Sequence, residues 1–296
     1  MKQLRDLGIG FIGAGVVGTT LAVAFDRQGM HVNYVYSRSL KSASNLANRL
    51  SNCKVADNYQ GLSNGCDLVF VTTPDSSISN IASNVKWRNS QIVIHCSGAQ
   101  SLEALMIPES YGASVGCFHP LQTFIELNQG IDALYGTAFA IEGDEEILPF
   151  LEDLARALGG LGIKVSSEDK ALYHASAVLV SGSLVSLLSI ASQLWQKMGY
   201  KAEKAAECLL PLMRTTVSNV ANKGMSGALT GPYSRGDIET IEKHLDAISD
   251  EHPEFLGLYC LLGLAQVPLA INKGTITKED GERIESLIGK FADGLA

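Results

Sequence analysis

The first half of the chain alternates short apolar segments with segments whose apolar residues recur at helical spacing. Residues 7–12, Leu-Gly-Ile-Gly-Phe-Ile, form the first apolar segment, and residues 16–28 follow with an amphipathic helical pattern. Short strands that alternate with helices are typical of βαβ units, in which neighbouring strands run parallel. The pattern predicts further strands at 31–36, 67–73, 91–97, 114–118, 137–141 and 163–165, and further helices at 40–51, 76–85 and 145–158.

The second half of the chain has only helical patterns. They cover about 167–198, 201–223, 234–247, 251–273 and 277–291, with glycine or proline at most junctions. We therefore predict an α/β domain with a doubly wound parallel sheet at residues 1–166 and an all-α domain at residues 167–296. Residues 175–192 carry no charge and are long enough for a membrane span. Because small and hydroxyl residues alternate there with Leu and Val, we expect a buried helix instead.

Composition narrows the class of protein. The 296 residues are 46% hydrophobic and 18% charged, with a net charge of −8. That charge disfavours nucleic acid or an anionic membrane as the main partner. Six scattered cysteines without a C-x-x-C pair fit reduced thiols in the cytoplasm better than a disulfide framework. No His, Asp and Glu cluster has the spacing of metal ligands, so we expect no metal.

The most specific motif is G-x-G-x-x-G, formed by Gly13, Gly15 and Gly18 at the end of the first predicted strand. In dinucleotide-binding proteins the first glycine allows the tight turn, the second lets the backbone approach a pyrophosphate, and the third lets helix and strand pack closely. The helix N-terminus then faces the phosphates. Ala14, Val16 and Val17 lie within the motif, so the sequence predicts cofactor contacts along the whole stretch 13–18.

The end of the second predicted strand indicates which dinucleotide binds. NAD-binding proteins usually place Asp or Glu there, on the ribose hydroxyls. This chain has Ser37-Arg38-Ser39 and no carboxylate. A guanidinium flanked by hydroxyls suits a 2′-phosphate, so we predict NADP(H); the alternative is a solvated arginine after a strand.

Two further strand ends are expected to line the cofactor site. In doubly wound sheets ligands bind beyond the carboxyl ends of the strands. The strand at 67–73 leads into Thr72-Thr73-Pro74, and the strand at 91–97 ends at Ser97-Gly98. We expect these five residues beside the nicotinamide half of the cofactor, and His95 to be a packing residue within its strand.

Four residues are candidates for catalysis. His119, in Cys117-Phe-His-Pro-Leu-Gln-Thr-Phe124, could donate a proton or hold a turn together. Lys170 and His174 lie four apart on one face of a helix, as a catalytic pair or as an ordinary surface pair. Arg235, in Leu229-Thr-Gly-Pro-Tyr-Ser-Arg-Gly-Asp237, could anchor an anion, although Ser234 or Asp237 could be a simple helix cap.

Taken in order, these motifs resemble an uncharacterised family that pairs a Rossmann-like N-terminal domain with a helical C-terminal domain of unknown function. The stretches that carry the resemblance are 13–18, 37–39, 117–124, 173–175 and 229–237. More distantly, the layout is similar to the 6-phosphogluconate dehydrogenase superfamily, the β-hydroxyacid dehydrogenases, the pyrroline-5-carboxylate reductases and the deazaflavin-dependent NADP reductases. This resemblance implies a 6-phosphogluconate dehydrogenase-like helical domain used for dimerisation, and an active site between the domains.

One position departs from the β-hydroxyacid dehydrogenase pattern. Those enzymes carry a catalytic Lys with an Asn four residues later, and here Lys170 is followed by His174. Their substrate and mechanism therefore do not transfer directly. The sequence supports a cytoplasmic, homodimeric oxidoreductase that moves hydride between NADP(H) and a carbonyl or imine of a small anionic metabolite. The rival interpretation is a non-catalytic NADP-binding sensor or partner-binding protein.

Overall fold

The computed structural model describes residues 4–292 and divides into two compact units, residues 1–181 and 182–296. The boundary predicted after Ser166 lies one short helix before this division. Each unit has its own core, and the two units are described separately.

The first unit is built on one sheet of eight strands in the order β3-β2-β1-β4-β5-β6-β7-β8. The chain leaves β1 first to one side, through β2 and β3, and then to the other side, through β4. In such sheets a ligand crevice forms at the strand where the order reverses. The strands are β1 Gly8–Ile12, β2 His31–Tyr36, β3 Lys54–Val55, β4 Leu68–Val71, β5 Ile92–His95, β6 Ser114–Pro120, β7 Ala138–Gly143 and β8 Leu161–Lys164.

Helices cover both faces of the sheet. The helices of this unit are α1 Val16–Arg27, α2 Leu40–Ala47, α3 Tyr59–Asn64, α4 Asp75–Ser83, α5 Met106–Ser110, α6 Leu127–Ala133 and α7 Leu148–Ala157, followed by α8 Lys170–Val180, of which only Lys170 is buried. Alternate strand residues point to opposite faces, so Phe11 and Ile12 enter different cores. On one face Phe11 stacks on Phe70 with ring centroids 4.9 Å apart, and Phe118 stacks on Phe139 at 4.5 Å. The doubly wound architecture predicted from the sequence is confirmed.

The sheet departs from a purely parallel one at one edge. Strand β7 pairs with β6 antiparallel, and β8 pairs with β7 in parallel. The Leu121 N–H donates to the Ala138 carbonyl at 2.8 Å, which continues the antiparallel pairing beyond Pro120. The alternation of apolar and helical segments does not report strand direction. Only the path of the chain between β6 and β7 decides it.

The second unit is helical. Its helices are α9 Gly182–Gln193, α10 Ala202–Ala228, α11 Pro232–Arg235, α12 Ile238–Glu251, α13 Pro253–Lys273 and α14 Lys278–Ala292. Its core is formed by α11 to α14, with Ile241, Leu245, Val267 and Ile284 buried at the centre. Gly236 and Gly274 end α11 and α13 in the left-handed conformation, which glycine adopts without strain.

The uncharged stretch 175–192 is not the buried helix that we expected. It is divided between α8 and α9, and Leu179, Val180 and Val185 are 67%, 74% and 70% exposed. Two helical segments, 170–198 and 253–273, are long and apolar enough to cross a membrane by length and composition alone. Because the hydrophobic helices of soluble proteins also meet this criterion, it is weak evidence for a span. Exposed apolar side chains such as Leu179, Val180 and Val185 instead indicate an interaction surface.

Candidate functional site

A pocket of about 350 Å³ lies at the carboxyl ends of β1, β2 and β4, where the strand order reverses. Its volume is within the range of small-molecule and cofactor sites. Eight of the predicted cofactor residues line it: Gly13, Ala14, Gly15, Ser37, Arg38, Thr72, Thr73 and Pro74. The sequence did not indicate the other lining residues: Ile12, Tyr36, Ser42, Tyr59, Ser77, Asn80 and Ile81.

The three motif glycines have different structural roles. A Cβ at Gly13 would lie 2.6 Å from the Thr72 carbonyl oxygen, and one at Gly18 would lie 2.3 Å from Thr72 Oγ1. Both therefore allow α1 to approach β4. A Cβ at Gly15 would meet no atom within 4 Å, so this backbone faces open space in the pocket. Gly15 is also the N-cap of α1, whose first backbone N–H groups have no partner within the helix.

These features fit the phosphates of a dinucleotide. An uncapped helix N-terminus offers N–H donors and the positive end of the helix dipole. The exposed Arg38 lines the same pocket beyond β2, together with Ser37 and Ser42. Ser39 has a local role, because its Oγ caps α2 by accepting the Ser42 N–H at 3.2 Å. Val16, Val17 and Gly18 do not line the pocket.

The second feature is a cluster around His119, at the end of β6. Its Nδ1 lies 2.8 Å from the Tyr173 hydroxyl, and its ring centroid lies 6.2 Å from that of His174. Gly98 lies against both histidines, since a Cβ there would be 2.8 Å from His119 Nε2 and from His174 Cδ2. The structure thus brings together three residues that the sequence suggested separately, His119, His174 and Gly98. Tyr173 is a functional candidate that our sequence reasoning missed, although it precedes His174 directly.

Both partners of the His119–Tyr173 pair are neutral near pH 7. Burial, helped by the nearby His174 and Lys170, lowers the pKa of His119 to about 4. Burial raises the pKa of the Tyr173 phenol to about 12. The His119 imidazole can therefore donate or accept hydrogen bonds, but it is not a charged acid at neutral pH.

Lys170 lies beneath this cluster and is only 2% exposed. Its Nζ is 3.1 Å from Glu142 Oε2 and donates to Cys117 Sγ at 3.0 Å. The other Glu142 oxygen accepts from the Ser167 hydroxyl. Burial raises the pKa of the Cys117 thiol to about 11, although Lys170 opposes this. Lys170 is therefore part of a buried ion pair rather than a member of a surface pair with His174.

Ser97 and Asp75 are hydrogen-bonded to each other behind the loop that carries Gly98. The Ser97 hydroxyl donates to Asp75 Oδ2 at 2.7 Å and accepts the Gln100 N–H at 2.9 Å. The Cys117 thiol donates to the Ser97 carbonyl at 3.3 Å. Ser97 is buried and does not line the pocket beside the glycine turn. It holds the loop that carries Gly98.

His95 is fully buried at the end of β5, as the packing interpretation predicted. Its Nδ1 accepts the Ser97 N–H at 3.2 Å. Burial lowers its pKa to about 3, so the ring is neutral at physiological pH.

Arg235 belongs to the second unit, at the end of α11. Its guanidinium is exposed and lies 3.8 Å from Asp237. Asp237 is the N-cap of α12, and its carboxylate accepts the Thr240 N–H at 3.2 Å. The helix-cap interpretation of Asp237 is thus realised, and the Arg235 side chain retains free donors. Within residues 4–292 no group of three or more His, Cys, Asp or Glu side chains could hold a metal ion.

Comparison with known families agrees with this architecture. Residues 1–120 match the model of a Rossmann-like domain, and residues 137–266 match a domain of unknown function, DUF2520. The resemblance inferred from the motifs is confirmed: the chain joins a Rossmann-like domain to a C-terminal DUF2520 domain, whose matched segment begins before β7. No curated protein matches the chain in sequence.

Several solved structures share the fold over nearly the whole chain. A candidate NADP oxidoreductase from Bacteroides fragilis is 26% identical, covers 90% of this chain and 100% of its own, and has a TM-score of 0.69. Two others are 18% identical and cover 96% of this chain. They are a pyrroline-5-carboxylate reductase from Streptococcus pyogenes (98% of its own chain, TM-score 0.59) and a reductive aminase from Aspergillus terreus in complex with NADPH and ethyl levulinate (99%, 0.61).

Proposed function

We propose that this protein is an NADP(H)-dependent oxidoreductase that acts on a small, anionic carbonyl or imine compound. The observation that carries the proposal is the pocket at the strand-order reversal, which joins the glycine turn at Gly13–Gly15 to Arg38. The similar NADP oxidoreductase candidate from B. fragilis and the A. terreus reductive aminase in complex with NADPH support the choice of cofactor. Bound NADPH would supply the hydride.

The residues of the chain would bind the cofactor, orient the substrate and polarise its reacting bond. The N-terminus of α1 and the backbone of Gly15 would hold the pyrophosphate. Arg38, with Ser37, would bind the 2′-phosphate through charge-assisted hydrogen bonds. Thr72, Thr73 and Pro74 would form the wall next to the cofactor's ribose and nicotinamide half.

The His119–His174 cluster would be the chemical centre. His119 is neutral at pH 7 because of its lowered pKa, so it is suited to polarise a substrate atom by hydrogen bonding. His174 is half-buried and makes no hydrogen bond among residues 4–292, so it is free to exchange a proton with substrate. Arg235, whose guanidinium is exposed in the second unit, stays a candidate for binding an anionic group. Lys170 would act through charge and position only, since it is buried and paired with Glu142.

A binding and turnover experiment tests this function. We expect NADPH to bind the purified protein more tightly than NADH, as measured by nicotinamide fluorescence. We also expect a panel of 2-oxo acids and cyclic imines to include a compound that oxidises the bound NADPH. Equal affinity for both cofactors contradicts the NADP(H) assignment. Preferential binding without turnover of any panel member favours the NADP-binding sensor.

A further inference from the structure

The hydrogen bond between His119 and Tyr173 bears on which nitrogen of His119 carries a proton and on which substrates the site accepts. We propose that the Tyr173 hydroxyl donates to His119 Nδ1, that His119 therefore carries its proton on Nε2, and that this site takes a carbonyl rather than a protonated iminium as the hydride acceptor. The first two parts concern the free protein. The third rests on the function proposed above.

The direction of the hydrogen bond follows from the two groups and their spacing. His119 Nδ1 and the Tyr173 oxygen are 2.8 Å apart, so one of them donates. A neutral imidazole has one N–H and one acceptor nitrogen, whereas a phenol donates through its single O–H. Among residues 4–292 the Tyr173 hydroxyl has no other hydrogen-bond partner. If His119 donated, the half-buried phenol proton would have no acceptor among the described residues, so the arrangement that pairs both groups within the protein has Tyr173 as donor.

The remaining nitrogen is then an available donor. His119 Nε2 has no hydrogen-bond partner among the described residues, 4–292. It also faces Gly98, where a Cβ would approach Nε2 to 2.8 Å. Because residue 98 is a glycine, no side chain there displaces the His119 ring or caps its Nε2–H. A Cβ at this position would also lie 2.8 Å from His174 Cδ2, so Gly98 contacts both histidines.

The groups around His119 include two carboxylates, one lysine and neutral rings. Its titratable neighbours are His174, Tyr173 and Lys170 on α8, His95 on β5 and Asp75 on α4. The Asp75 carboxylate accepts from Ser97, and Glu142, which neutralises Lys170, is directed toward that lysine. With Lys170 paired to Glu142, the His119 Nε2–H is a donor that this cluster can offer to a substrate atom.

The substrate class follows from this donor. When hydride adds to a carbonyl, negative charge develops on oxygen, and a preorganised N–H donor stabilises it. A protonated iminium has no lone pair to accept the Nε2–H and already carries positive charge. It would need an acceptor or a carboxylate where this site presents a donor. The chemical class that fits is an aldehyde or ketone.

The first experiment measures the tautomer directly. Protein labelled with ¹⁵N at histidine is studied by long-range ¹H–¹⁵N correlation spectra, with His119→Gln to assign the signals. We expect one His119 tautomer, protonated on Nε2, between about pH 6 and 8, and a mixture of both tautomers in Tyr173→Phe. Tyr111→Phe, at an exposed tyrosine, is the matched control and should leave the spectrum unchanged. A proton on Nδ1 in the wild type, or an unchanged tautomer in Tyr173→Phe, overturns the proposal; the wild-type spectrum decides even if that variant does not fold.

The second experiment tests the substrate class with two small probes on the NADPH-bound protein. N,N-dimethylacetamide offers a carbonyl oxygen without an N–H, and pyrrolidinium is a cation with N–H donors and no lone pair. We expect the amide, but not pyrrolidinium, to shift the His119 Nε2 signal saturably, and Tyr173→Phe to weaken amide binding about two- to tenfold, since one neutral hydrogen bond is at stake. The reverse preference overturns the carbonyl assignment. Failure of NADPH itself to bind counts against the proposed function and leaves the tautomer result standing.

Discussion

Arg38 is the residue on which the choice of cofactor depends. It is exposed and lines the pocket at the end of β2, where an NAD-binding protein would carry a carboxylate. We expect Arg38→Ala to weaken NADPH binding about ten- to hundredfold, because a charge-assisted hydrogen bond is lost. NADH binding should change little.

The control for this prediction is Arg49→Ala. Arg49 is also exposed but does not line the pocket, so its loss should leave both affinities unchanged. Fluorescence titration of the wild type and both variants with NADPH and with NADH measures the difference. If Arg38→Ala weakens the binding of NADPH and NADH equally, Arg38 does not bind the 2′-phosphate.

His174 is the residue that we expect to exchange a proton with substrate. His174→Asn should bind NADPH as the wild type does and lose about 10²–10⁴ in turnover, the usual cost of removing a positioned acid. His31→Asn, at an exposed histidine at the start of β2, is the matched control. If His174→Asn keeps full activity, another residue of the cluster donates the proton.

His95 and His119 make the stability of the first unit depend on pH. Burial lowers the pKa of His95 to about 3, below the value of about 6.5 expected in the unfolded chain. The unfolded state therefore binds the proton more readily, and stability is fully present above about pH 6.5 and falls as the pH drops toward 3. At pH 5 this single histidine should cost about 1–2 kcal/mol of unfolding free energy. The lowered pKa of His119 adds to the effect in the same direction.

Urea unfolding at pH 7.5 and pH 5 measures this dependence. We expect His95→Gln to flatten the pH dependence, because glutamine does not titrate. The same substitution at the exposed His31 should leave the pH dependence as in the wild type. A midpoint that does not change with pH in the wild type would contradict the prediction.

At the scale of elements, the close approach of α1 to β4 depends on Gly18. A Cβ there would lie 2.3 Å from Thr72 Oγ1 and 2.6 Å from the Gly13 carbonyl oxygen. Because one contact is with backbone, Gly18→Ala should force α1 away from the sheet and cost about 1–3 kcal/mol. It should also weaken NADPH binding, since α1 presents its N-terminus to the pocket.

Gly289→Ala is the corresponding control. Gly289 lies within α14, and a Cβ there meets no atom within 4 Å. Alanine is the better helix former, so this variant should be stabilised by about 0.5–1 kcal/mol. Thermal unfolding of both variants, with NADPH titration, gives the comparison. Equal stability of Gly18→Ala and the wild type would mean that the helix adjusts without strain.

At the scale of the whole molecule, the exposed apolar surface of the second unit predicts self-association. Helices α9, α10 and α13 surround an apolar groove of about 460 Å³, lined by leucines such as Leu187, Leu212 and Leu262. Apolar surface of this kind on a soluble protein usually marks an interface. We propose that it is covered by a second copy of the chain in a homodimer.

Leu212→Arg tests this association. Leu212 lines the groove on α10 and is 65% exposed, and we expect its replacement by arginine to convert the protein from about 63 kDa to about 32 kDa in light scattering, because burial of an unpaired charge at an apolar interface is unfavourable. Leu40→Arg is the matched control, since Leu40 is 70% exposed but begins α2 in the first unit. A wild-type mass of about 32 kDa at micromolar concentration would contradict the dimer.

The sequence by itself determined the features that depend on local spacing. The glycine turn, the βαβ alternation and the position of Arg38 after β2 follow from residues close together in the chain, because dihedral preferences and side-chain periodicity act over a few residues. The structure confirms the strands and the doubly wound sheet, with element ends shifted by a few residues. The two-residue strand β3 and the short helices α3, α5, α6 and α11 were missed, because elements of two to seven residues leave too little periodicity to detect.

Only the tertiary structure decided which distant residues meet. The sequence placed Lys170 and His174 on one helix face, but burial directs Lys170 to Glu142 and Cys117, and His174 to His119 and Gly98. The Tyr173–His119 hydrogen bond spans 54 positions of the chain. The antiparallel direction of β7 likewise depends on the path of the chain and not on its apolar pattern. Contacts of this kind arise from packing between elements, and no spacing rule along the chain encodes them.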